Sequence, residues 1–178
     1  MVQFVATFHI VASISALIIG LWVVLTRKGT GLHRWLGYAY FFNMLGLNIS
    51  ALFIYRLTGH FGPFHGAAIA SGITLIAGFV PAYLRYPRKG WLDLHYEFMN
   101  WSYVGLIAAG VSEVATRLPS APFWPAVVAS MFAVFLFGGI WISRSRGKHL
   151  SNARNSAIRS DAPVNGWTAL RRRRTACQ

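Results

Sequence analysis

Four histidines occupy two matched pairs of positions. His9 follows Phe8 and His65 follows Phe64, while His33 follows Leu32 and His95 follows Leu94. An imidazole titrates near neutral pH and binds metals through either ring nitrogen. It is also a standard axial ligand of haem iron. In an apolar chain such a group is expensive, and it marks a functional site by default. Two pairs of histidines suit bis-histidine ligation of haem b. His9 and His65 would hold one iron, His33 and His95 the other. The chemistry would be electron transfer, and the sequence does not decide whether any catalysis accompanies it. His60 and His149 fall outside the pattern and read as a loop residue and a tail residue.

The histidines belong to a larger repeated unit. The first copy runs from Phe8-His9 through an apolar stretch to Arg27-Lys28-Gly29 and restarts at Leu32-His33. The second runs from Phe64-His65 to Arg88-Lys89-Gly90 and restarts at Leu94-His95. The offsets are 56, 61 and 62 residues, so the copies align only with gaps. A repeat of this kind fixes architecture before any single residue does. Each copy reads as a hairpin of two helices with a histidine near the start of each.

Composition says where these helices reside. Of 178 residues, 55% are hydrophobic and 12% charged, against about 25% charged in soluble domains. Residues 1–26 contain no Asp, Glu, Lys or Arg. A helix crossing a bilayer needs about 20 mainly apolar residues. The fold class expected is all-α: a polytopic membrane helix bundle of about five transmembrane helices built on two parallel hairpins. The spans predicted are 2–25, 33–55, 63–84, 94–115 and 123–143. The first lacks a basic leading segment and is too long for a cleaved signal. Pro81 falls inside the third and predicts a kink near its inner end.

In domain terms, residues 1–143 form a membrane domain. Repeat one covers about 8–56, repeat two about 64–117, and an extra helix about 123–143. Residues 144–178 form a basic, disordered cytoplasmic tail with too few apolar residues to build a core.

The formal net charge of +13 raises the question of nucleic acid. Its distribution answers it: the charges mark topology, and no nucleic-acid partner is expected. Arg27, Lys28, Arg34, Arg85, Arg88 and Lys89 sit in two loops on one side, and nine more Lys and Arg lie in the tail. Arg56 and Arg117 lie opposite. The Lys/Arg excess marks the cytoplasmic side. The protein is therefore expected in the cell inner (plasma) membrane, with its N-terminus outside and its C-terminus cytoplasmic. Trp35, Trp91, Trp101 and Trp124 fall near the interfaces, where indoles anchor. Arg171–Arg174 would favour anionic head groups, so membrane lipids are the expected partners. Cys177 is the only cysteine and excludes an internal disulfide or a cysteine-ligated metal site.

The stretch Leu32-His33-Arg34-Trp35-Leu36-Gly37-Tyr38, with Met44 and Ser50, and the stretch His95-Tyr96-Glu97-Phe98-Met99-Asn100-Trp101-Ser102-Tyr103 carry a resemblance. Together they resemble DUF2306, a family of bacterial multi-pass membrane proteins of unknown function, over about 8–119. The resemblance implies a helical membrane bundle and no particular activity. The family's second motif often reads His, two residues, Trp-Met, one residue, Arg. Here Phe98 precedes Met99 and Trp101 takes the Arg position, so no arginine role carries over.

With this topology, His9 and His65 lie toward the outer face, His33 and His95 toward the inner one. In a bundle of sequential order, helices one and three are diagonal, as are two and four. The placement of the pairs is similar to that in di-haem transmembrane cytochromes b. His9 lies about 24 Å from the inner end of its helix at 1.5 Å per residue. Ser13 and Gly37 follow His9 and His33 by four, which leaves small neighbours on the ligand face; Met99 holds that place after His95.

Other polar residues have plainer roles. Glu113 and Arg117 are spaced for a local ion pair. Glu97 is a partner for His95 or a solvated residue near a helix start. Asn43, Asn48 and Asn100 are placed to bond between helices. Gly46 with Ser50, and Gly66 with Ala70 and Thr74, make small-residue stripes typical of packing faces. The rival to a redox protein is a non-catalytic membrane scaffold or accessory subunit binding partners or lipids. A redox partner or membrane complex goes with the first reading, and the oligomeric state is not encoded legibly.

Overall fold

A computed structural model describes residues 2–54, 59–118 and 122–161. Side chains are described for 3–54, 59–118 and 122–147. Arg56, Pro119, the His149 side chain, Arg171–Arg174 and Cys177 lie outside these limits.

Five helices follow one another: α1 Val2–Leu25, α2 Gly31–Leu52, α3 Pro63–Leu84, α4 Trp91–Ala115 and α5 Phe123–Asp161. No strand occurs among the described residues. The chain is an all-helical membrane protein. By length and composition, the segments Gln3–Leu25, Pro63–Leu84 and Phe123–Gly147 are apolar enough to cross a bilayer. Helices α2 and α4 are equally long but carry more polar side chains, and many of these turn inward. Asn48, Ser50, Ser102 and Ser112 are buried. The outer surface shows the reverse pattern, with Ile10, Ile14, Ile18, Trp22, Phe42 and Ile73 exposed. Polar groups inside and large apolar groups outside is the arrangement a lipid solvent favours.

The first four helices pack in sequential order. α1 lies against α2, α2 against α3, α3 against α4, and α4 returns to α1. Ala12, Ala16, Tyr40, Met44, Leu47, Leu75 and Leu106 form their core. Across the diagonal, α2 and α4 meet through side chains: Tyr40 Oη and Ser102 Oγ lie 3.1 Å apart, both buried. The first part of α5 packs on α4, where Ser112 and Ser130 hydroxyls lie 2.8 Å apart. It also reaches α3, where Trp124 stacks on Phe64 at 6.0 Å.

The repeated Arg-Lys-Gly turns have a backbone reason. Gly29 has φ 80° and Gly90 has φ 98°, a left-handed conformation that glycine adopts without a Cβ penalty. Thr30 then caps α2, its hydroxyl accepting from the His33 amide at 3.2 Å, which satisfies one open donor of the first turn. This cap starts α2 at Gly31, two residues before the predicted 33. α4 starts directly after Gly90, three residues before the predicted 94.

α3 keeps the predicted limits and ends three residues beyond Pro81. The largest departure is α5. It continues to Asp161, where the sequence predicts a span ending at 143 and a disordered tail from 144. No proline interrupts residues 126–162, and Arg, Lys and Ala in that segment are good helix formers. Low hydrophobicity there argues against a core, not against a helix. Residues 140–161 fall in a second compact unit, separate from 1–139.

Candidate functional site

His33 and His95 meet. His33, in the first turn of α2, and His95, in the second turn of α4, have ring centroids 6.4 Å apart with planes at 86°. His95 Nδ1 lies 2.9 Å from the Gly78 carbonyl oxygen on α3. A carbonyl only accepts, so Nδ1 carries the proton and the lone pair of neutral His95 resides on Nε2. Backbone-anchored Nδ1–H with a free Nε2 is how metal-binding histidines are commonly oriented. His33 Nδ1 is buried without a hydrogen-bond partner. The His95 ring is therefore held by α3, and the His33 ring keeps at least one nitrogen in reserve.

The surroundings are closed on one side and open on the other. At Gly78 a Cβ would lie 2.9 Å from the Met99 amide nitrogen, so α3 and α4 touch there. At Gly37, one turn after His33, a Cβ would meet nothing within 4 Å.

His9 and His65 are not brought into a shared contact among the described residues. His9 Nδ1 lies 2.9 Å from Ser50 Oγ. Ser50 donates its one proton to the Leu47 carbonyl at 2.8 Å, so His9 is the donor to Ser50. Ser13, expected to leave room beside His9, donates instead to the His9 carbonyl at 2.7 Å. His65 is buried, and its Nδ1 accepts from the Gly62 amide at the start of its own helix, at 3.2 Å. An accepting Nδ1 puts the proton of neutral His65 on Nε2. That is the nitrogen an iron ligand would need free.

Other expected roles sort themselves by partner. Glu113 and Arg117 form the ion pair on the α4 surface. Glu97 accepts from Trp101 Nε1 at 3.1 Å, so it serves Trp101. Trp101 itself packs against Phe135 of α5 at 6.0 Å, an inward role that interface anchoring does not describe. Asn43 and Asn100 bond to Ala39 and Tyr96 carbonyls of their own helices, so they do not bridge helices. Asn48 Nδ2 is buried with no partner. Gly46 does pack, with Phe8 3.2 Å from where its Cβ would lie, whereas Gly66 and Ala70 are exposed.

Two participants were not singled out by sequence. Lys28 reads as one of several topology charges, yet its ammonium donates to the Val23 and Val24 carbonyls at 2.7 Å each. The Tyr40–Ser102 pair lacks any motif. Its only signal is a tyrosine seven residues after His33 and a serine seven after His95, which places each two turns along the same face.

Two grooves of about 290 and 540 Å³ lie on the bundle surface, lined by residues such as Phe4, Phe8 and Phe53, and Leu17, Val111 and Leu118. Both are apolar and neither is lined by a histidine. No cluster of three or more His, Cys, Asp or Glu suited to a bare metal ion occurs among the described residues.

An all-helical bundle with polar residues inside and a lipid-facing apolar surface defines a multi-pass membrane protein. Residues 6–145 match the family model described as "Predicted membrane protein (DUF2306)", and the chain belongs to that family. Comparison with curated proteins and with solved structures produced no match.

Proposed function

We propose that His33 and His95 would hold one b-type haem near the inner face, and that the protein is a membrane electron carrier. The observation that carries this reading is the 6.4 Å separation of their ring centroids. Two imidazoles that would share one ion stand at about this separation. The anchoring of His95 through Nδ1, the partnerless His33 Nδ1 and the open side at Gly37 all suit that use. When bound, the group supplies a one-electron iron couple. The chain's own part is to fix the His95 ring through the Gly78 carbonyl and to keep the ligand nitrogens in an apolar bundle. His9 and His65 are left out of the proposal, because the protonation of His65 opposes ligation. The orientation proposed has the N-terminus outside and the basic segments in the cytoplasm of a cell with an inner membrane.

The test is a reduced-minus-oxidised absorption spectrum of protein purified from haem-replete membranes. A b-type signal is expected in the wild type and in His65→Ala, and is expected to vanish in His33→Ala and in His95→Ala. Folded, colourless wild type would refute the redox reading and leave a membrane scaffold. Signal loss in His65→Ala alone would place the site at the other face.

A further inference from the structure

Left-handed backbone occurs at four positions among the described residues, and one of them is not glycine. Gly29, Gly59 and Gly90 hold three, while Arg85 has φ 52° and ψ 40°. In that region a Cβ crowds the following carbonyl, a strain that glycine escapes. Arg85 caps α3, its amide donating to the Pro81 carbonyl. Glycine would cap the helix as well, and without strain. A cation near a helix C-terminus is favourable. Yet the guanidinium makes no bond to the α3 carbonyls among the described residues, whereas the Lys28 ammonium does bond the carbonyls ending α1. The helix end alone does not account for an arginine here, which leaves its exposed side chain.

The setting defines what that side chain meets. α3 is long and apolar enough to cross a bilayer. Its 22 residues rise about 33 Å at 1.5 Å each, close to the hydrocarbon thickness of about 30 Å. Arg85, the next residue, therefore stands at head-group depth. Ile73, Ile76, Val80 and Leu84 are exposed three or four residues apart, an apolar face that leads to it. Tyr83 and Tyr86 flank it and are 66% and 70% exposed; tyrosine rings favour this depth. Arg88 and Lys89 follow, also exposed. No ion pair or hydrogen bond engages the side chains of Arg85, Arg88 or Lys89 among the described residues. The starts of α2 and α4 are side by side at His33 and His95, so Arg27, Lys28 and Arg34 lie at the same end. Against these six cations stand only Asp93 and Glu97, at the start of α4.

We propose that Arg85 is the phosphate-binding group of an anionic phospholipid site at the turn between α3 and α4. One acyl chain lies along Ile73, Ile76, Val80 and Leu84, and the guanidinium donates paired N–H bonds to the lipid phosphate. Arg88 and Lys89 supply the positive field that selects a head group of net negative charge. A zwitterionic lipid offers the same phosphate without that selection. The site uses neither His33 nor His95, so it stands or falls apart from the haem reading.

Full-length protein in nanodiscs of mixed phosphatidylcholine and phosphatidylglycerol gives the test. Spin-labelled lipids of both kinds report the preference as the ratio of protein-associated label. The wild type is expected to prefer phosphatidylglycerol. Arg85→Gly is expected to lower that preference about fivefold, and Arg85→Lys to keep most of it. Arg27→Gln removes a charge from the other turn at the same end and is expected to change it by less than about twofold. In phosphatidylcholine alone, Arg85→Gly is expected to melt about 2–4 °C above wild type, because the strain is gone; melting below wild type overturns the strain that singles out Arg85. No preference in the wild type, an unchanged one in Arg85→Gly, or an equal loss in Arg27→Gln overturns the site and leaves a diffuse basic field. Loss of the wild-type preference on adding inorganic phosphate at constant ionic strength overturns the lipid in favour of a free anion.

Discussion

Replacing Gly78 by alanine puts a single methyl group where two helices and one histidine depend on each other. The new Cβ would lie 2.9 Å from the Met99 backbone nitrogen and 3.0 Å from its Cγ and Sδ. Non-bonded heavy atoms are comfortable at about 3.5 Å, so α3 and α4 must part by roughly 0.5 Å. A side chain could rotate away, but the amide of Met99 cannot move without its helix. Added volume in a packed core costs about 1–3 kcal/mol. Alanine in place of glycine returns about 1 kcal/mol of helix propensity. The expected net loss is about 1 kcal/mol, or about 2–4 °C in Tm for a chain of this size. Gly105→Ala on α4 is the matched control, because a Cβ there meets nothing within 4 Å, and it should gain up to about 1 kcal/mol. Thermal unfolding of both variants in the same detergent gives the comparison. The separation also draws the Gly78 carbonyl off His95 Nδ1, so the inner-site spectrum should weaken in Gly78→Ala and not in Gly105→Ala. Should Gly78→Ala melt at or above Gly105→Ala, the close approach of α3 to α4 is wrong.

Tyr40→Phe removes the buried hydroxyl that meets Ser102 and should lower stability by about 1 kcal/mol, read as a shift in unfolding temperature; no shift would mean the pair is not formed. Ser50→Ala strips His9 of its partner and should cost about 1 kcal/mol, while leaving the spectrum of the proposed His33–His95 site intact, because the bonds of Ser50 go to His9 and Leu47 and not to that pair. Glu113→Gln breaks an ion pair whose side chains are 67% and 74% exposed and should change stability by less than about 0.5 kcal/mol; a larger loss would contradict its surface position. Cys177, the only cysteine, should react with a membrane-impermeant maleimide only after permeabilisation if the basic tail is cytoplasmic, and labelling of intact cells would invert the proposed topology.

Much of the bundle can be read from the order of residues. The charge-free run at 1–26 and the apolar run at 63–84 are membrane helices on composition alone, and α1 and α3 have those limits. The starts of α2 and α4 are harder, because a cap at Thr30 and a left-handed glycine at Gly90 decide them. Hydropathy does not see caps. The end of α5 is invisible to it for a related reason: polarity rules out a membrane core but leaves a polar helix allowed. For the site, pairing His33 with His95 follows from topology and sequential packing. Pairing His9 with His65 follows from the same logic, and the structure gives the two separate partners. The difference is rotation of each helix about its own axis and the fate of each ring proton, neither of which spacing encodes. Asn43 and Asn100 differ from expectation for a similar reason: a carbonyl four residues back is always in reach.

The left-handed glycines at Gly29 and Gly90 close two hairpins that each carry half of the inner pair, His33 on the first and His95 on the second. During synthesis the first hairpin reaches the bilayer well before α4 exists. The His33 nitrogen then has no counterpart, and His95 has no carbonyl until α3 is beside it. Completion of the inner pair is therefore a report on assembly: it exists only when both hairpins have inserted and docked in register. A spectrum centred on His33 and His95 would read out the tertiary fold as well as any bound group. Co-expressed halves cut between the hairpins would acquire the signal together or not at all.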